Sequence, residues 1–288
     1  MKGRIIRLIS NQYQVLLDDG QIVDCLAKGR LRLEDRLVCG DFVNVELSHD
    51  QYLIDSRNPR KNYLIRPPIA NVDQALIVMS ATEPEFSPFL VDQLLFLATY
   101  HEIKPILVVT KLDLLKTEEI KDILLEYENS GYQVILAGKN DDLNPLIEVI
   151  RGQVSVLTGQ SGVGKSTILN RLDKSFQLAT QEISRALGRG KHTTRHVELH
   201  KVKDGWIADT PGFSKLDFSI MSEYDLKESV LDFKEYAPEC RFRDCFHINE
   251  PGCAVKQAIK AGKIPQRRYL HYQELLNQIK ESRRDRYD

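Results

Sequence analysis

At 288 residues the chain is long enough for two or three domains, each with its own core. Its 42% hydrophobic and 28% charged residues are those of a soluble globular protein and exclude a disordered or fibrous one. A formal net charge of −1 identifies no partner, so any nucleic-acid affinity must come from local patches. The opening, M-K-G-R-I-I-R-L-I-S, is too broken by charge for a signal-peptide core, and no apolar run approaches membrane-spanning length. Five cysteines, three of them clustered late, do not resemble a secreted disulfide framework. A cytoplasmic protein with no membrane attachment is expected.

In chain order, the first sixty or so residues read as short strands at Gly3–Ile9, Tyr13–Leu17, Gln21–Ala27 and Asp41–Leu47, with Asp18-Asp19-Gly20 as a hairpin turn. No helical period interrupts them, which predicts a small OB-like β-barrel. Lys28, Arg30, Arg32 and Arg36 fall between the third and fourth strands. They form either a solvated loop or an RNA-contacting one. Prolines at 59, 67 and 68 mark the exit from this domain.

From Val72 strands and helices alternate, predicting an α/β domain with a mainly parallel sheet. Gln74–Ser80 is a strand, and Ser87-Pro88 caps and opens a helix running to Tyr100. The strand Ile106–Val109 ends in Thr110-Lys111-Leu112-Asp113, the T-K-x-D form of a guanine signature. A carboxylate at Asp113 accepts from guanine N1–H and the exocyclic 2-amino group, neither of which adenine offers. A helix at Thr117–Ser130, a strand at Tyr132–Leu136 and a short helix from Asn144-Pro145 follow. Next comes Gly159-Gln160-Ser161-Gly162-Val163-Gly164-Lys165-Ser166-Thr167, the phosphate-loop pattern G-x-x-x-x-G-K-[ST] between a strand from Val154 and a helix opened by Lys165. Backbone N–H groups there would surround a phosphate chain, Lys165 would reach its β/γ-phosphates, and the Ser166 hydroxyl would ligate Mg²⁺.

A second Mg²⁺-facing element is Asp209-Thr210-Pro211-Gly212 after the strand Trp206–Ala208. There Asp209 serves the metal and the Gly212 amide senses the γ-phosphate. Upstream, Asp204-Gly205 reads as the turn of a hairpin whose first strand is His196–Val202. Gly188-Arg189-Gly190-Lys191-His192-Thr193-Thr194-Arg195 suits a mobile switch offering a threonine hydroxyl to Mg²⁺. Thr194 is preferred, and Thr193 stays open. Phe213 stands where many GTPases place a water-orienting glutamine. The candidate for that role is His192, with His196 as the alternative.

After Ser214, Cys240, Cys245, His247 and Cys253 supply three thiolates and one imidazole within fourteen residues, a donor set for one tetrahedral, structural Zn²⁺. Cys25 and Cys39 read as small buried hydrophobes. Helices are expected at Ala254–Ala261 and Arg268–Lys280. The basic end of the chain, with Arg267, Arg268, Lys280, Arg283, Arg284 and Arg286, suits a solvated face and RNA contact equally.

The guanine signature precedes the phosphate loop, the reverse of the usual GTPase order, while the cyclic order is kept. The domain therefore reads as circularly permuted. With the barrel, T-K-L-D, G-Q-S-G-V-G-K-S-T, G-R-G-K-H-T-T, D-T-P-G-F and the cysteine-rich tail, essentially the whole chain resembles the circularly permuted, ribosome small-subunit-dependent GTPase A family (RsgA, also called YjeQ/YloQ). One departure is that the guanine-backing S-A-x motif, expected near Leu136-Ala137-Gly138, is degenerate. The resemblance implies a barrel at 1–64, a permuted GTPase domain at 65–216 and a zinc-binding helical domain at 217–288. It further implies the same four zinc ligands, a monomer that hydrolyses GTP to GDP, stimulation by the small ribosomal subunit and its rRNA, and a role in late maturation of that subunit. A rival reading is a non-catalytic rRNA-binding module that uses GTP as a structural switch ligand. An ATP-dependent enzyme is disfavoured by the guanine signature.

Overall fold

The protein is described by a computed structural model covering residues 1–9, 12–29, 31, 36–65, 67–114, 119–174, 197–209 and 218–284. In chain order the strands are β1 Lys2–Ile9, β2 Gln12–Leu17, β3 Ile22–Ala27, β4 Phe42–Ser48, β5 Gln51–Arg57, β6 Tyr63–Ile65, β7 Pro68–Ala70, β8 Gln74–Ser80, β9 Lys104–Thr110, β10 Gln133–Leu136, β11 Val154–Thr158, β12 Glu198–Val202 and β13 Gly205–Asp209. The α-helices are α1 Pro88–Tyr100, α2 Glu119–Asn129, α3 Asn144–Ile150, α4 Lys165–Leu172, α5 Glu223–Ser229, α6 Ala254–Lys260 and α7 Gln266–Arg284. The chain divides into two compact units, Met1–Leu76 with Asp142–Ser214, and Ile77–Asp141 with Lys215–Asp288.

In the first unit, β1 pairs with β2, β2 with β3, β3 in parallel with β5, β5 with β4, and β4 back to β1. The sheet thus closes into a five-stranded OB-like barrel with no free edge inside it. Alternate residues point inward, and Ile5, Val15, Val23, Cys25, Val43, Val45 and Ile54 form its core. The fifth strand, β5, escapes the sequence reading. Its hairpin with β4 turns at His49-Asp50, with φ of 50° and 61°, without the Asn-Gly or Asp-Gly pair that announces such a turn. Fully buried Asp41 accepts from Arg60 Nε at 2.6 Å and Nη2 at 2.8 Å, which pins the segment leaving the barrel. On its other edge β1 meets β12, with Arg7 opposite Glu198 and an ion pair of 3.0 Å between them. From there β12 forms a hairpin with β13, and β13 runs parallel to β11.

In the second unit β10, β9 and β8 are neighbours in the sheet, β10 and β9 in parallel register. Every residue of β8 is buried, and so are six of the seven residues of β9. Continuous apolar runs of this kind mark strands covered on both faces. The N-cap read from sequence is present, with Leu90 N–H donating to Ser87 Oγ at 3.3 Å and Pro88 opening α1. Asp92 lies on the buried stretch of this helix, among Val91, Leu94, Leu95, Phe96, Leu97 and Ala98. The remainder of the unit, from 218 onward, is helical and irregular and carries the cysteine cluster.

Candidate functional site

The phosphate loop is built as its pattern requires. All five residues of β11 are buried, so the strand's end is fixed. Beyond it Gly159, Gly162 and Gly164 take φ of 135°, 83° and 99°, a left-handed backbone that side chains rarely adopt. This path brings the loop to the start of α4, where the helix dipole favours an anion. Val163 is fully buried and anchors the loop from behind. Lys165 Nζ donates to the carbonyls of Gly159 at 2.7 Å and Gln160 at 2.6 Å, which holds the ammonium over the loop. Burial lowers its pKa from the ordinary lysine value. Ser166 and Thr167 are exposed, while Ile168, Leu169 and Leu172 hold α4 to the core.

The guanine signature lies at the C-terminal end of β9. Thr110 is buried and donates from Oγ1 to Met79 O at 3.2 Å, fastening the strand end to β8. Lys111 turns the chain with φ of 57°, and its Nζ donates to Glu83 O. Asp113 follows in the 3-10 turn Leu112–Leu114 with its carboxylate exposed. The degenerate loop near 136–138 lies against it. Ala137 N–H donates to Val109 O at 2.7 Å, and Gly138 N–H to Asp141 Oδ2 at 2.7 Å. A Cβ placed on Gly138 would stand 2.9 Å from Asp141 Oδ2 and 3.4 Å from Asp113 Oδ1, so the glycine lets the Asp141 carboxylate close on its backbone beside Asp113. The backbone of Asp209 ends β13 opposite Glu198. The expectations for the Asp209 side chain, Gly212, Phe213, His192, Thr193, Thr194 and His196 lie outside the described residues.

The cysteine cluster brings together all four residues chosen from sequence. One donor atom from each of Cys240, Cys245, His247 and Cys253 lies within 4.8 Å of the others. Cys253 Sγ is 3.4 Å and Cys240 Sγ 3.6 Å from His247 Nδ1, and the two sulfurs are 3.9 Å apart. Corners of a tetrahedral zinc centre with Zn–S of about 2.3 Å and Zn–N of about 2.0 Å lie about 3.5–3.8 Å apart, so the donor set fits. Burial pushes the Cys245 thiol up to about 12 and, with a contribution from nearby Lys227, pushes His247 down to about 4. A neutral imidazole is the ligating form, and a divalent cation would offset the burial that keeps the thiol protonated. The loop is braced by Glu250, which accepts from Phe246 N–H and Ile248 N–H at 2.8 Å each. Tyr269 and Tyr272 on α7 donate to the carbonyls of His247 at 2.6 Å and Phe246 at 2.9 Å.

One group of residues escapes the sequence reading altogether. Arg268, placed there in a basic tail that is either solvated or RNA-bound, is neither: its side chain is 1% exposed. It donates to Asp92 Oδ1 at 2.6 Å and through Nη2 and Nε to Asp232 at 2.7–3.1 Å, with its guanidinium 4.9 Å from the Tyr127 ring and 4.8 Å from the Tyr132 ring. Asp92 also meets His271 Nδ1 at 2.5 Å. Neighbouring Arg267 pairs with Glu126, and Lys280 with Glu223 at 3.5 Å, so much of that basic end is internally neutralised. The basic loop of the barrel is likewise reduced, because Lys28 pairs with Asp55 at 2.5 Å and Glu46 at 2.7 Å. Arg30 and Arg32 lie outside the described residues. The signal for Arg268 was available: it shares a helix face with Tyr272, Leu275, Leu276 and Ile279, all buried.

A phosphate-loop strand and helix, a T-K-x-D turn reached earlier in the chain, an N-terminal barrel and a Cys3His tail define a circularly permuted P-loop GTPase. The description of the RsgA GTPase matches residues 57–219, and that of the RsgA N-terminal domain residues 2–52. Proteins described as "Small ribosomal subunit biogenesis GTPase RsgA" are similar over nearly their whole length. That of Pediococcus pentosaceus is 44% identical over 286 residues, covering 96% of this chain and 93% of its own. That of Staphylococcus epidermidis is 44% identical over 290 residues, covering 99% of both. Among solved structures, YloQ, a circularly permuted GTPase, superposes with a TM-score of 0.82 at 37% identity, over 97% of this chain and 95% of that one. YjeQ from Thermotoga maritima gives 0.83 at 30% identity, over 96% and 98%. The chain belongs to the RsgA GTPase family.

Proposed function

We propose that this GTPase acts in the late maturation of the small ribosomal subunit, and that contact with the subunit stimulates its hydrolysis of GTP to GDP and phosphate. The observation that carries the nucleotide part is Asp113, an exposed carboxylate beside Gly138 just past a strand's C-terminal end. Thr110, Lys111 and Leu112 position Asp113, which selects guanine by accepting from N1–H and the 2-amino group. Gly159 through Thr167 bind the phosphates: backbone amides take the non-bridging oxygens, and Lys165 leaves its carbonyl partners for the β/γ-phosphates. Ser166, Asp209 and Thr194 are the residues that would hold Mg²⁺, which when bound neutralises charge developing on the β- and γ-phosphate oxygens. The Gly212 amide senses the γ-phosphate. With Phe213 unable to orient a water molecule, His192 takes that role once the partner orders its loop. Cys240, Cys245, His247 and Cys253 hold one structural Zn²⁺.

The ribosomal part rests on family membership and on the names its relatives carry. We assign the rRNA contacts to the barrel at 1–64 and the zinc domain at 217–288, which in sequence precede and follow a GTPase domain at 65–216. The protein works as a monomer in the cytoplasm, a placement consistent with there being no described helix long and apolar enough to cross a membrane. Co-sedimentation with purified small subunits tests this reading. Retention with a non-hydrolysable GTP analogue and release with GDP are expected; equal recovery in both states, or no recovery in either, contradicts it.

A further inference from the structure

The loop between the first two cysteines of the cluster, Arg241-Phe242-Arg243-Asp244, is exposed at all four positions. A single exposed apolar ring is ordinary, and Phe242 at 40% exposure would need no explanation by itself. Its setting is not ordinary. Cys245 N–H donates to Phe242 O at 3.3 Å, closing a tight turn that ends at a cluster residue. Arg241 N–H donates to Gly252 O at 3.1 Å, which ties the loop to the segment before Cys253. Gly252 has φ of 71°, and a Cβ there would meet Arg241 Cβ at 3.1 Å and Cδ at 3.4 Å, so the glycine lets the arginine stem lie flat across it. The Arg241 guanidinium carbon is consequently held 5.5 Å from the Phe242 ring centroid. Neither Arg241 nor Arg243 has an ion pair among the described residues. Asp244 is the loop's one acid, and nearby Glu250 is engaged by backbone amides.

We propose that Arg241-Phe242-Arg243 is a base-stacking platform for single-stranded RNA: one unpaired base lies on the Phe242 ring, and Arg241 and Arg243 take the flanking phosphates. Any base offers a π-face to an exposed aromatic ring, so the contact needs no particular sequence. Guanidinium groups meet phosphate oxygens in a two-pronged geometry, and charge complementarity selects a polyanion over a neutral peptide. The turn, the glycine seat and the bracketing cysteines fix the loop beforehand, so little ordering entropy is lost on contact. Ribosomal RNA as the partner rests on the function proposed above; the stacking chemistry does not.

The test uses the full zinc-loaded chain and three variants, Phe242→Ala, Phe242→Trp and Arg243→Ala, each checked for zinc content and melting temperature. Phe242→Ala should bind small subunits on the order of tenfold more weakly, the loss of about one stacked base. Phe242→Trp should restore binding, and an oligoadenylate decamer should quench its indole beyond any change at Trp206, the sole tryptophan of the parent. Arg243→Ala should reduce the slope of log affinity against log salt by about 0.7–1. Equal subunit affinity for parent and Phe242→Ala overturns the platform. Weakened binding with no quenching and an unchanged salt slope also overturns it, because the loop then docks on protein. If the parent binds no subunits, the ribosomal reading fails, and quenching by oligoadenylate decides the platform on its own.

Discussion

Arg268 of α7 donates from Nη1 to Oδ1 of Asp92 in α1 at 2.6 Å, joining residues 176 apart in sequence with side chains 1% and 0% exposed. Asp232 completes the group from the other side of the guanidinium. A helix that carries two braces of the cysteine cluster, Tyr269 and Tyr272, is thereby fastened to the helix that precedes the guanine signature. The burial of these charges is tolerable only while all are paired, because an unpaired ion in such a site costs far more than its partner returns.

Arg268→Met should therefore leave buried Asp232 without its cation and buried Asp92 dependent on His271, and lower the unfolding free energy by about 3–5 kcal/mol. The triple variant Arg268→Met, Asp92→Asn, Asp232→Asn should recover most of that loss, since it removes the charges together. Denaturant melts of both proteins check this. A single variant as stable as the parent would show that Arg268 does not hold the helices.

That network also marks where the sequence stopped being informative. The phosphate loop, T-K-L-D and the Cys3His set were legible because their chemistry demands fixed residue types at short, fixed spacings. The OB-like barrel was legible from alternating strands, except for β5, whose turn at His49-Asp50 lacks the usual residues. Arg268 was counted with a basic tail because charge alone suited a solvated face and RNA contact equally. Its place on the face of Tyr272, Leu275 and Ile279, and that of Asp92 inside an apolar helix, were the cues that its environment differed. Their pairing could not be read, since nothing local ties residues 176 apart.

Base choice should reside in Asp113. Asp113→Asn is expected to lose GTP binding and to gain xanthosine triphosphate, because the amide can donate to the 2-oxo group of xanthine while the carboxylate cannot. Nucleotide titrations with both triphosphates check it. Unchanged GTP affinity removes Asp113 from the base site.

One Zn²⁺ per chain is expected by metal analysis of carefully prepared protein. Cys245→Ser should abolish it and unfold the segment around the cluster, while GTP binding at the phosphate loop stays largely intact. Protein that is folded and free of zinc would end the metal assignment.

His192→Ala should keep GTP affinity and subunit binding but lose most of the subunit-stimulated rate. His196→Ala is the control, expected to retain stimulation. The reverse pattern would move the water-positioning role to His196, and full stimulation in both variants would remove histidine from it.

The most direct test of the account is phosphate release from GTP, measured with and without purified small ribosomal subunits. Alone, with Phe213 in the place of a water-orienting glutamine, the chain should turn over slowly, on the order of 10⁻⁴ to 10⁻² s⁻¹. Saturating small subunits should raise that rate at least tenfold. A rate that is the same with and without subunits, in a protein shown to bind them, would contradict the account.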